Sequence, residues 1–504
     1  MDQLGATLAG IWTGVLDLED AVAAQDFFRC GGDSLAALKL IGRTRAATEV
    51  TISLKAFFDA STFADYVDLV RSGQRRAEPA VSADTLEASV QEKALWRLQE
   101  RYPETVANNA TFCFELSDRV DAGLLERSMR FLLDRHHALR TVYHRAGEKV
   151  VRRVLDMAVF DGAPVVEILE GDATGARQFA ERRNEVPFAL ADEAPMRVWL
   201  LRGGARDHLV FVYHHIAVDG QSITLVHREL GAVYGALSRG EEPGLAPVPF
   251  QYGEFAAGQA RRIAAGEFAA ALDFWKQRLG GVCTHGLLAE DATHDRLTAS
   301  PPVVVPFRLG PESTSRLRRY ARRERATPYM VVAAHLRTAL AELSEGEDIV
   351  IGGPVANRVA PGSDQVVGLF RNTLLLKPEG GVPASMEEGV RKIRAAAFAA
   401  YEHQECPFEL VRDALCPDGA RISPYEVSLA LHPALDESLR FGEIRAARVE
   451  LALSTIKRPV HVSVFESANT FEGALVYQPA ILKCPSEIAG LADELTRSLD
   501  RIEA

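Results

Sequence analysis

Two adjacent histidines followed by an aspartate are the side chains in this sequence best suited to chemistry. His214 and His215 are followed by Asp219 and then by Gly220. Imidazole titrates near neutrality, so such a ring can act as a base or as a hydrogen-bond partner for a reacting group. The same string also occurs as a structural histidine pair beside a capping aspartate. The rest of the chain must therefore decide between the two interpretations.

The elements around these histidines predict a strand-to-helix corner. Leu209 to Val212 is a short apolar run rich in strand-forming residues, and helical spacing extends from Gln221 to Leu237. Gly220 is expected to supply the tight turn, and Ser222 is expected to cap the helix. Catalytic groups often stand at such corners because a rigid scaffold holds them there.

Ser34 is a second candidate for chemistry. It follows Gly31, Gly32 and Asp33, where two glycines let the backbone turn closely before a predicted helix. A phosphate on Ser34 would face free N–H groups and the positive end of the helix dipole. The alternative is that Asp33 or Ser34 merely caps the helix, which is the commonest use of such residues.

Composition excludes several classes of function. The 504 residues are 47% hydrophobic and 25% charged, with a net charge of −12, so no basic stripe predicts nucleic-acid binding. No secretory signal and no apolar run of membrane-spanning length is present, which predicts a cytoplasmic protein without a membrane partner. The six cysteines are scattered without a C-x-x-C pair, so neither a metal site nor a disulfide framework is expected.

The hydrophobic periodicity divides the chain into a small and a large unit. Residues 1–73 predict a four-helix bundle, and residues 74–86 have no period and predict an exposed linker. Strand-like and helical segments alternate over the remainder. Two α/β lobes, 87–264 and 265–504, fit that length better than one very large core.

The first unit resembles a peptidyl carrier protein of nonribosomal peptide synthetases. The hallmark Gly-Gly-Asp-Ser-Leu is intact at residues 31–35. The resemblance implies that Ser34 carries a covalent 4′-phosphopantetheine, attached by a phosphopantetheinyl transferase, which bears an acyl or peptidyl thioester.

The large unit resembles a condensation domain of the same synthetases. Six blocks occur in the family's order: SVQEKALWRL at 89–98, RHHALRTVY at 135–143, YHHIAVDGQS at 213–222, YGEFA at 252–256, VGLFRNTL at 367–374 and HQECPFE at 403–409. The resemblance implies a chloramphenicol-acetyltransferase-like fold, with two lobes and a tunnel between them. The paired histidines would then lie midway along that tunnel.

Three residues depart from the family's pattern. Glu92 stands where Gln is usual, Ala94 where Arg is usual, and Arg371 where Val is common. Arg371 either places a charge near the tunnel lining or points to solvent.

The family implies amide formation, in which the amine of an acceptor thioester attacks a donor thioester, without a metal and without an acyl-enzyme. His215 is then either a general base or a group that positions the amine, since an α-amine with a pKa of about 7.7–8.0 is already partly neutral at pH 7. His214 is interpreted as structural and Gly220 as turn-forming.

Asp219 is expected to be architectural, because a buried carboxylate must be paired. Its candidate partners are Arg140 in the second block and Arg358 upstream of the fifth. Asn372, with Thr373, belongs to the part of the fifth block that fits condensation.

Two other functions compete with condensation. An epimerization domain shares the central motif and also follows a carrier, but its Trp-containing fifth block is absent. A non-catalytic condensation-like module that recruits a partner enzyme usually has a damaged central motif, whereas this one is intact. Heterocyclization is excluded because it replaces the histidines with aspartate.

The order of the two units predicts the partners. The tethered carrier would deliver the donor, and the acceptor would arrive on a downstream carrier that is loaded by an adenylation domain. The chain is therefore expected to be a piece of a longer synthetase, with further upstream domains, in antibiotic or siderophore biosynthesis.

Overall fold

The structure is a computed structural model that describes residues 3–502 with several gaps. The residues outside the description are 1, 2, 33, 49, 53, 76–86, 171–174, 204–205, 281–285, 290–291, 293–295, 298–299, 345–348, 382, 417–424, 434–438, 453–455, 468, 503 and 504.

The first unit is a helical bundle around one tryptophan. Its elements are α1 (Gln3–Leu16), α2 (Ser34–Thr48), β1 (Val50–Thr51), α3 (Leu54–Asp59), α4 (Phe63–Ser72) and β2 (Gln74–Arg75). Trp12 is fully buried, with the rings of Phe27, Phe57, Phe63 and Tyr66 at centroid distances of 5.0–6.4 Å within the cluster. Such aromatic packing lets a small bundle bury a large apolar area with few residues.

The predicted linker begins two residues too early. Gln74 and Arg75 form β2, which pairs antiparallel with Val50 and Thr51 of β1. The remaining linker positions, 76–86, lie outside the described residues.

The N-terminal lobe of the large unit is built on a six-stranded sheet, as counted over the described residues. Its strand order is β13-β14-β3-β8-β7-β6. The strands are β3 (Asn109–Leu116), β6 (Val166–Glu170), β7 (Met196–Arg202), β8 (His208–His214), β13 (Arg440–Phe441) and β14 (Ile444–Val449), and a separate hairpin joins β4 (Thr141–Ala146) to β5 (Lys149–Val154). Every residue of β8 is buried, because this central strand is covered on both faces.

The C-terminal lobe has a second sheet, in the order β11-β10-β12-β15-β16-β9. Its strands are β9 (Val303–Leu309), β10 (Ile351–Val355), β11 (Asn372–Leu376), β12 (Val427–Pro433), β15 (Val460–Glu466) and β16 (Phe471–Tyr477). In β15 the buried residues alternate with half-buried ones, so one face packs on helices and the other faces away from that core.

Helices cover these sheets. They are α5 (Val90–Arg101), α6 (Ala122–Arg135), α7 (Ala176–Asn184), α8 (Gly220–Ser238), α9 (Tyr252–Ala264), α10 (Ala269–Leu279), α11 (Pro311–Arg323), α12 (Pro328–Leu343), α13 (Met386–Glu402), α14 (Phe408–Leu415) and α15 (Pro485–Asp500). α6 packs on α8 in the first lobe, and α12 packs on α13 and α15 in the second. The hydrophobic period of the sequence predicts a helix near 176–184 and strands near 460–466 and 471–477, and the structure has α7, β15 and β16 at these positions.

The division of the large unit at residue 264 needs a correction. β14 pairs antiparallel with β3, so residues 444–449 belong to the sheet of the first lobe. Val366 to Phe370 likewise pack in the first lobe's hydrophobic core. No single position in the sequence separates the two lobes. Residues 366–370 and 444–449 lie within the predicted second range but pack in the first lobe.

An aromatic pair joins the small bundle to the second lobe. Phe58 of α3 lies edge-on to Phe398 of α13, with ring centroids 4.8 Å apart. Among the described residues, no helix combines the length and apolar character needed to cross a lipid bilayer. The same part of the chain holds no group of three or more His, Cys, Asp or Glu suited to a metal ion.

Candidate active site

The central histidines lie at the corner between β8 and α8. β8 ends at His214, and Asp219 caps α8 by accepting a hydrogen bond from the Ser222 backbone N–H at 2.8 Å. The expectation that Ser222 caps this helix is therefore wrong. The backbone of Asp219 is extended and its carboxylate reaches the first turn, whereas Ser222 is already inside that turn.

His214 is a core residue. Its side chain is fully buried, and its Nδ1 accepts a hydrogen bond from the Ile216 backbone N–H at 3.1 Å. Burial lowers its pKa to about 3, with smaller contributions from the charges of Lys457 and Arg197. A neutral imidazole held in this way maintains the corner and is turned away from solvent.

His215 is half-buried and has a defined tautomer. Its Nδ1 lies 3.2 Å from the Val218 carbonyl oxygen, which can only accept, so Nδ1 carries the proton and Nε2 keeps a lone pair. Burial lowers the pKa of His215 well below its usual 6.5, and the charges of Lys457 and Arg371 lower it further. The imidazole is therefore neutral at pH 7 and presents an acceptor nitrogen.

Asp219 is the centre of a buried hydrogen-bond network, here called the latch, which consists of Asp219, Ser222, Arg358, Gly368 and Phe370. Oδ1 accepts from Ser222 Oγ at 2.8 Å and from Arg358 Nη2 at 2.7 Å, and Oδ2 accepts from the Phe370 N–H at 3.1 Å. Ser222 Oγ in turn accepts from the Gly368 N–H at 3.0 Å. The latch ties α8 to segment 366–370, and every Asp219 oxygen has a partner.

Arg140, the other expected partner of Asp219, is not in this latch. It donates to the backbone carbonyl of Leu133 at 2.8 Å and to that of Leu155, and it lies 3.9 Å from Asp134. The prediction for Arg140 is wrong because three acceptors of its own lobe already occupy its guanidinium.

Asn372 fixes the turn of the sixth block. Its Nδ2 donates to the carbonyls of Gln404 and Cys406, each at 2.7 Å, and its Oδ1 accepts from the Phe408 N–H at 2.9 Å. Its side chain acts structurally, because all of these partners are backbone groups of the sixth block.

Gly220 does not need the conformational freedom expected of it. It is the exposed first residue of α8, and it is absent from the residues with positive φ. A Cβ added to it would meet nothing within 4 Å. Gly220 therefore differs from the expectation: its backbone is not strained, and the space beside it is open.

Glu92 has a structural explanation that sequence reasoning missed. The carboxylate is fully buried and accepts from Arg152 Nε at 2.9 Å and from the Tyr143 hydroxyl at 2.8 Å. It also closes a capping box with Ser89, whose hydroxyl lies 3.0 Å from that of Tyr252. Arg152 lies in β5, and a charged residue within a strand is the only sequence signal that could have identified it. Ala94 is half-buried nearby, and nothing in the structure explains it.

The candidate modification site lies at the start of α2. Gly31 has a φ of 96°, which L residues rarely adopt, and a Cβ on Gly32 would lie 2.3 Å from the ring of Phe27. Ser34 is the first residue of a helix of 15 residues, and the backbone N–H groups of the first turn of a helix suit a phosphate. Asp33 lies outside the described residues. This backbone fits a phosphopantetheine attachment.

Comparison with protein families finds two models along the chain. Residues 83–429 match the model of the condensation domain. The chain belongs to the condensation-domain family. Residues 6–70 of this condensation-domain protein also match the phosphopantetheine attachment site, so its cofactor is covalent 4′-phosphopantetheine.

Curated relatives extend over nearly the whole chain. It is 30% identical, over 98% of its length, to the probable non-canonical nonribosomal peptide synthetase CymA of Salinispora arenicola. It is 29% identical, over 99% of its length, to a dimodular nonribosomal peptide synthase of Bacillus subtilis. The chain spans 6% and 22% of these two relatives, respectively.

Solved structures share the fold. The X-domain from teicoplanin biosynthesis has a TM-score of 0.74 and 23% identity, and the match covers 84% of this chain and 96% of that one. The starter condensation domain of rhizomide synthetase RzmA has a TM-score of 0.70 and 18% identity over 83% and 94%. At these identities the likeness establishes the fold, with its two-lobed chloramphenicol-acetyltransferase-like architecture, and nothing more.

Proposed function

We propose that this chain forms the amide bond of nonribosomal peptide synthesis. A donor acyl or peptidyl thioester, carried through phosphopantetheine on Ser34, is joined to the amine of an acceptor aminoacyl thioester. The acceptor nitrogen bonds to the donor carbonyl carbon, the C–S bond breaks, the sulfur leaves as thiolate, and the amine proton passes to the thiolate or to water. The upstream synthetase domains, a downstream carrier and its adenylation domain are the partners that this reaction requires.

The observation that carries the proposal is the accessible Nε2 lone pair of His215. The Val218 carbonyl holds the proton on the other ring nitrogen, so Nε2 accepts a hydrogen bond from the attacking amine. A pKa well below 6.5 makes this imidazole a weak base towards an α-amine of pKa about 7.7–8.0. We therefore assign His215 a positioning role, in which it aligns the nitrogen lone pair with the donor carbonyl.

Asp219 and His214 support this group without touching the reactants. The Asp219 latch holds α8 against segment 366–370, and His214 is sealed in the core. Because this frame is rigid, His215 is held in one position. Less conformational entropy must then be lost to align the two substrate arms before they react.

The test is amide formation between loaded carriers. The chain is loaded with donor by a phosphopantetheinyl transferase and a coenzyme A thioester, then mixed with a separate carrier that bears an aminoacyl thioester. Mass spectrometry of both carriers is expected to show the donor transferred to the acceptor. Ser34→Ala is expected to accept no arm, and His215→Ala to load normally but transfer slowly.

Other outcomes would assign other functions. Deuterium incorporation at Cα of the carrier-bound residue, without an amide, would establish epimerization. Normal loading with neither amide nor exchange would leave a recruitment module and would overturn the proposal.

A further inference from the structure

The hydroxyl of Tyr252 is bonded to the segment that holds Asp219. Tyr252 is the first residue of α9, and its side chain is buried. The hydroxyl donates to the Leu369 carbonyl at 2.8 Å, since a carbonyl oxygen can only accept. This side chain has no part in the reaction as described above, although its partner lies next to the latch residue Phe370.

One peptide group connects Tyr252 to Asp219. The Leu369 carbonyl and the Phe370 N–H belong to the same planar unit, here called peptide group 369–370. Its oxygen accepts from the Tyr252 hydroxyl at 2.8 Å, and its N–H donates to Asp219 Oδ2 at 3.1 Å. Because the unit is planar and bonded at both ends, the tyrosine hydroxyl fixes the direction in which the N–H meets the aspartate.

The hydrogen bonds of this connection run in one direction. Because the Tyr252 hydroxyl donates its proton to Leu369, it accepts from the Ser89 hydroxyl, which lies 3.0 Å away. Ser89 Oγ accepts in turn from the Glu92 N–H at 3.1 Å, as the N-cap of α5. Consecutive hydrogen bonds polarise and strengthen one another, so Ser89 reinforces the bond that Tyr252 makes.

The ring of Tyr252 packs on the same segment. It lies edge-on to Phe370, with ring centroids 5.0 Å apart. A Cβ added to Gly368 would lie 2.1 Å from the Tyr252 ring, so any side chain there would displace either the ring or the segment. Ring and hydroxyl together therefore hold residues 368–370 against the start of α9.

The start of α9 is itself fixed. Gln251, which precedes Tyr252, donates through Nε2 to the Arg135 carbonyl at 3.0 Å and accepts at Oε1 from the His137 N–H at 3.1 Å. The Gln251 N–H donates to Glu254 Oε1 at 2.9 Å, which closes a capping box. Tyr252 is therefore anchored to the end of α6 and positions the segment relative to the first lobe.

The connection ends at His215. Val218, whose carbonyl oxygen lies 3.2 Å from His215 Nδ1, is fully buried and directly precedes Asp219. The Val218 carbonyl carbon is bonded to the Asp219 nitrogen, so a shift of the aspartate also shifts the acceptor that orients the imidazole. Three hydrogen bonds and the peptide groups between them thus connect Tyr252 to His215.

We propose that Tyr252 is a positioning residue for amide formation, which holds Asp219 through peptide group 369–370 and thereby sets the direction of His215 Nε2. This inference rests on the proposed amide-forming function. Tyr252 is too deeply buried to touch a reactant, so it acts only through His215. The effect of losing its hydroxyl must then depend on whether His215 is present, whereas a side chain that only stabilises the fold shows no such dependence.

The experiment is a kinetic double-mutant cycle on the whole chain. Tyr252→Phe removes the hydroxyl and keeps the ring, and it is made both in the wild type and in His215→Ala. Each protein is loaded at Ser34 with an N-acyl-alanyl thioester and mixed with increasing concentrations of an alanyl carrier. Single-turnover kinetics then give the maximum rate of transfer and, separately, the carrier concentration that gives half of that rate.

In the wild-type background, Tyr252→Phe is expected to lower the maximum rate about tenfold, the factor that corresponds to one hydrogen bond, and to leave the half-saturating concentration unchanged. In the His215→Ala background the same change is expected to alter the rate by less than about twofold, because the group that Tyr252 positions is absent. Tyr234→Phe is the matched control, since the buried Tyr234 hydroxyl accepts from the Asp121 N–H at 2.9 Å. It loses a comparable hydrogen bond and is expected to keep the maximum rate of each background.

An equal loss in both backgrounds, or a wild-type rate in Tyr252→Phe, would overturn the inference while leaving amide formation intact. If thermal unfolding shows that Tyr252→Phe does not fold, Ser89→Ala takes its place in the cycle, because it removes the donor to the Tyr252 hydroxyl. Ser89→Ala is expected to slow transfer only where His215 is present, and an equal loss in both backgrounds would again overturn the inference. Absence of any amide from the wild type would instead remove the proposed function, and this inference with it.

Discussion

Arg358 Nη2 lies 2.7 Å from Asp219 Oδ1, and the two side chains are only 4% and 3% exposed. The arginine comes from the segment after β10, and the aspartate caps the helix that follows the central histidines. Through this pair the corner that presents His215 depends on a residue 139 positions away. The geometry of the corner therefore depends on contacts from both lobes.

Removal of Asp219 is expected to destabilise the protein as well as to lower its activity. Asp219→Ala leaves the buried guanidinium of Arg358 without its counter-charge, which typically costs about 3–5 kcal/mol in free energy of unfolding. Asp219→Ala/Arg358→Ala is expected to recover part of that loss, with a coupling energy of about 1–3 kcal/mol in a double-mutant cycle measured by urea unfolding.

Arg140 is the control for that double-mutant cycle. Its guanidinium donates to the backbone carbonyls of Leu133 and Leu155 instead of to Asp219. Asp219→Ala/Arg140→Ala should be additive within about 0.5 kcal/mol. A fully stable but inactive Asp219→Ala would move Asp219 into the chemistry.

The loss of rate in His215→Ala is expected to be independent of pH. Because burial lowers the pKa of His215 well below 6.5, the imidazole stays neutral from pH 7 to pH 9. Wild-type and variant rates should rise together as the acceptor amine loses its proton near pH 7.7–8.0 on its reference pKa, at a constant ratio of about 10², the factor expected for lost positioning.

Single-turnover transfer rates across this pH range measure that ratio. An acceptor whose amine has a lower pKa should shift both profiles to lower pH by the same amount. A ratio that shrinks towards high pH would mean that His215 is a general base.

Glu92→Gln, which restores the residue usual in the family, is expected to destabilise this protein. Arg152 and Glu92 are 6% and 0% exposed, so the change leaves a buried guanidinium without its counter-charge, at a cost of about 3–5 kcal/mol. Glu92→Gln/Arg152→Met should regain much of this loss in thermal unfolding.

Glu100→Gln is the surface control for this pair. Glu100 is bonded to Arg145, and the two side chains are 40% and 54% exposed, so the expected cost is about 0–1 kcal/mol. Equal losses in Glu92→Gln and Glu100→Gln would refute a buried pair.

His227 is expected to make the fold sensitive to acid. It lies among the rings of Phe112, Phe114 and Phe211, and burial, aided by Arg448, lowers its pKa to about 3. As pH falls from 6.5 towards 3, the His227 imidazole becomes protonated in the unfolded chain but stays neutral in the folded protein. This group then removes about 1.4 kcal/mol of stability per pH unit.

His227→Gln keeps a polar partner for the Tyr213 hydroxyl, which lies 3.2 Å from His227 Nε2, and cannot titrate. Its free energy of unfolding should fall less steeply with acid than that of the wild type. Parallel curves would show that His227 is protonated within the fold.

The sequence by itself determined the local features. The apolar run of β8, the helical period of α8, the two glycines before Ser34 and the ordered family blocks are all read within short stretches of chain. Helix and strand periods and glycine conformations depend on neighbouring residues, so they are visible before any tertiary contact is known.

Only the tertiary structure decided which charged groups meet. Arg140 and Arg358 were equal candidates for Asp219, and the choice depended on how segment 366–370 crosses back to α8. Lys457 lies outside every family block, yet its charge acts on His215. The strength of a charge interaction depends on distance in space and on burial, and separation along the chain specifies neither.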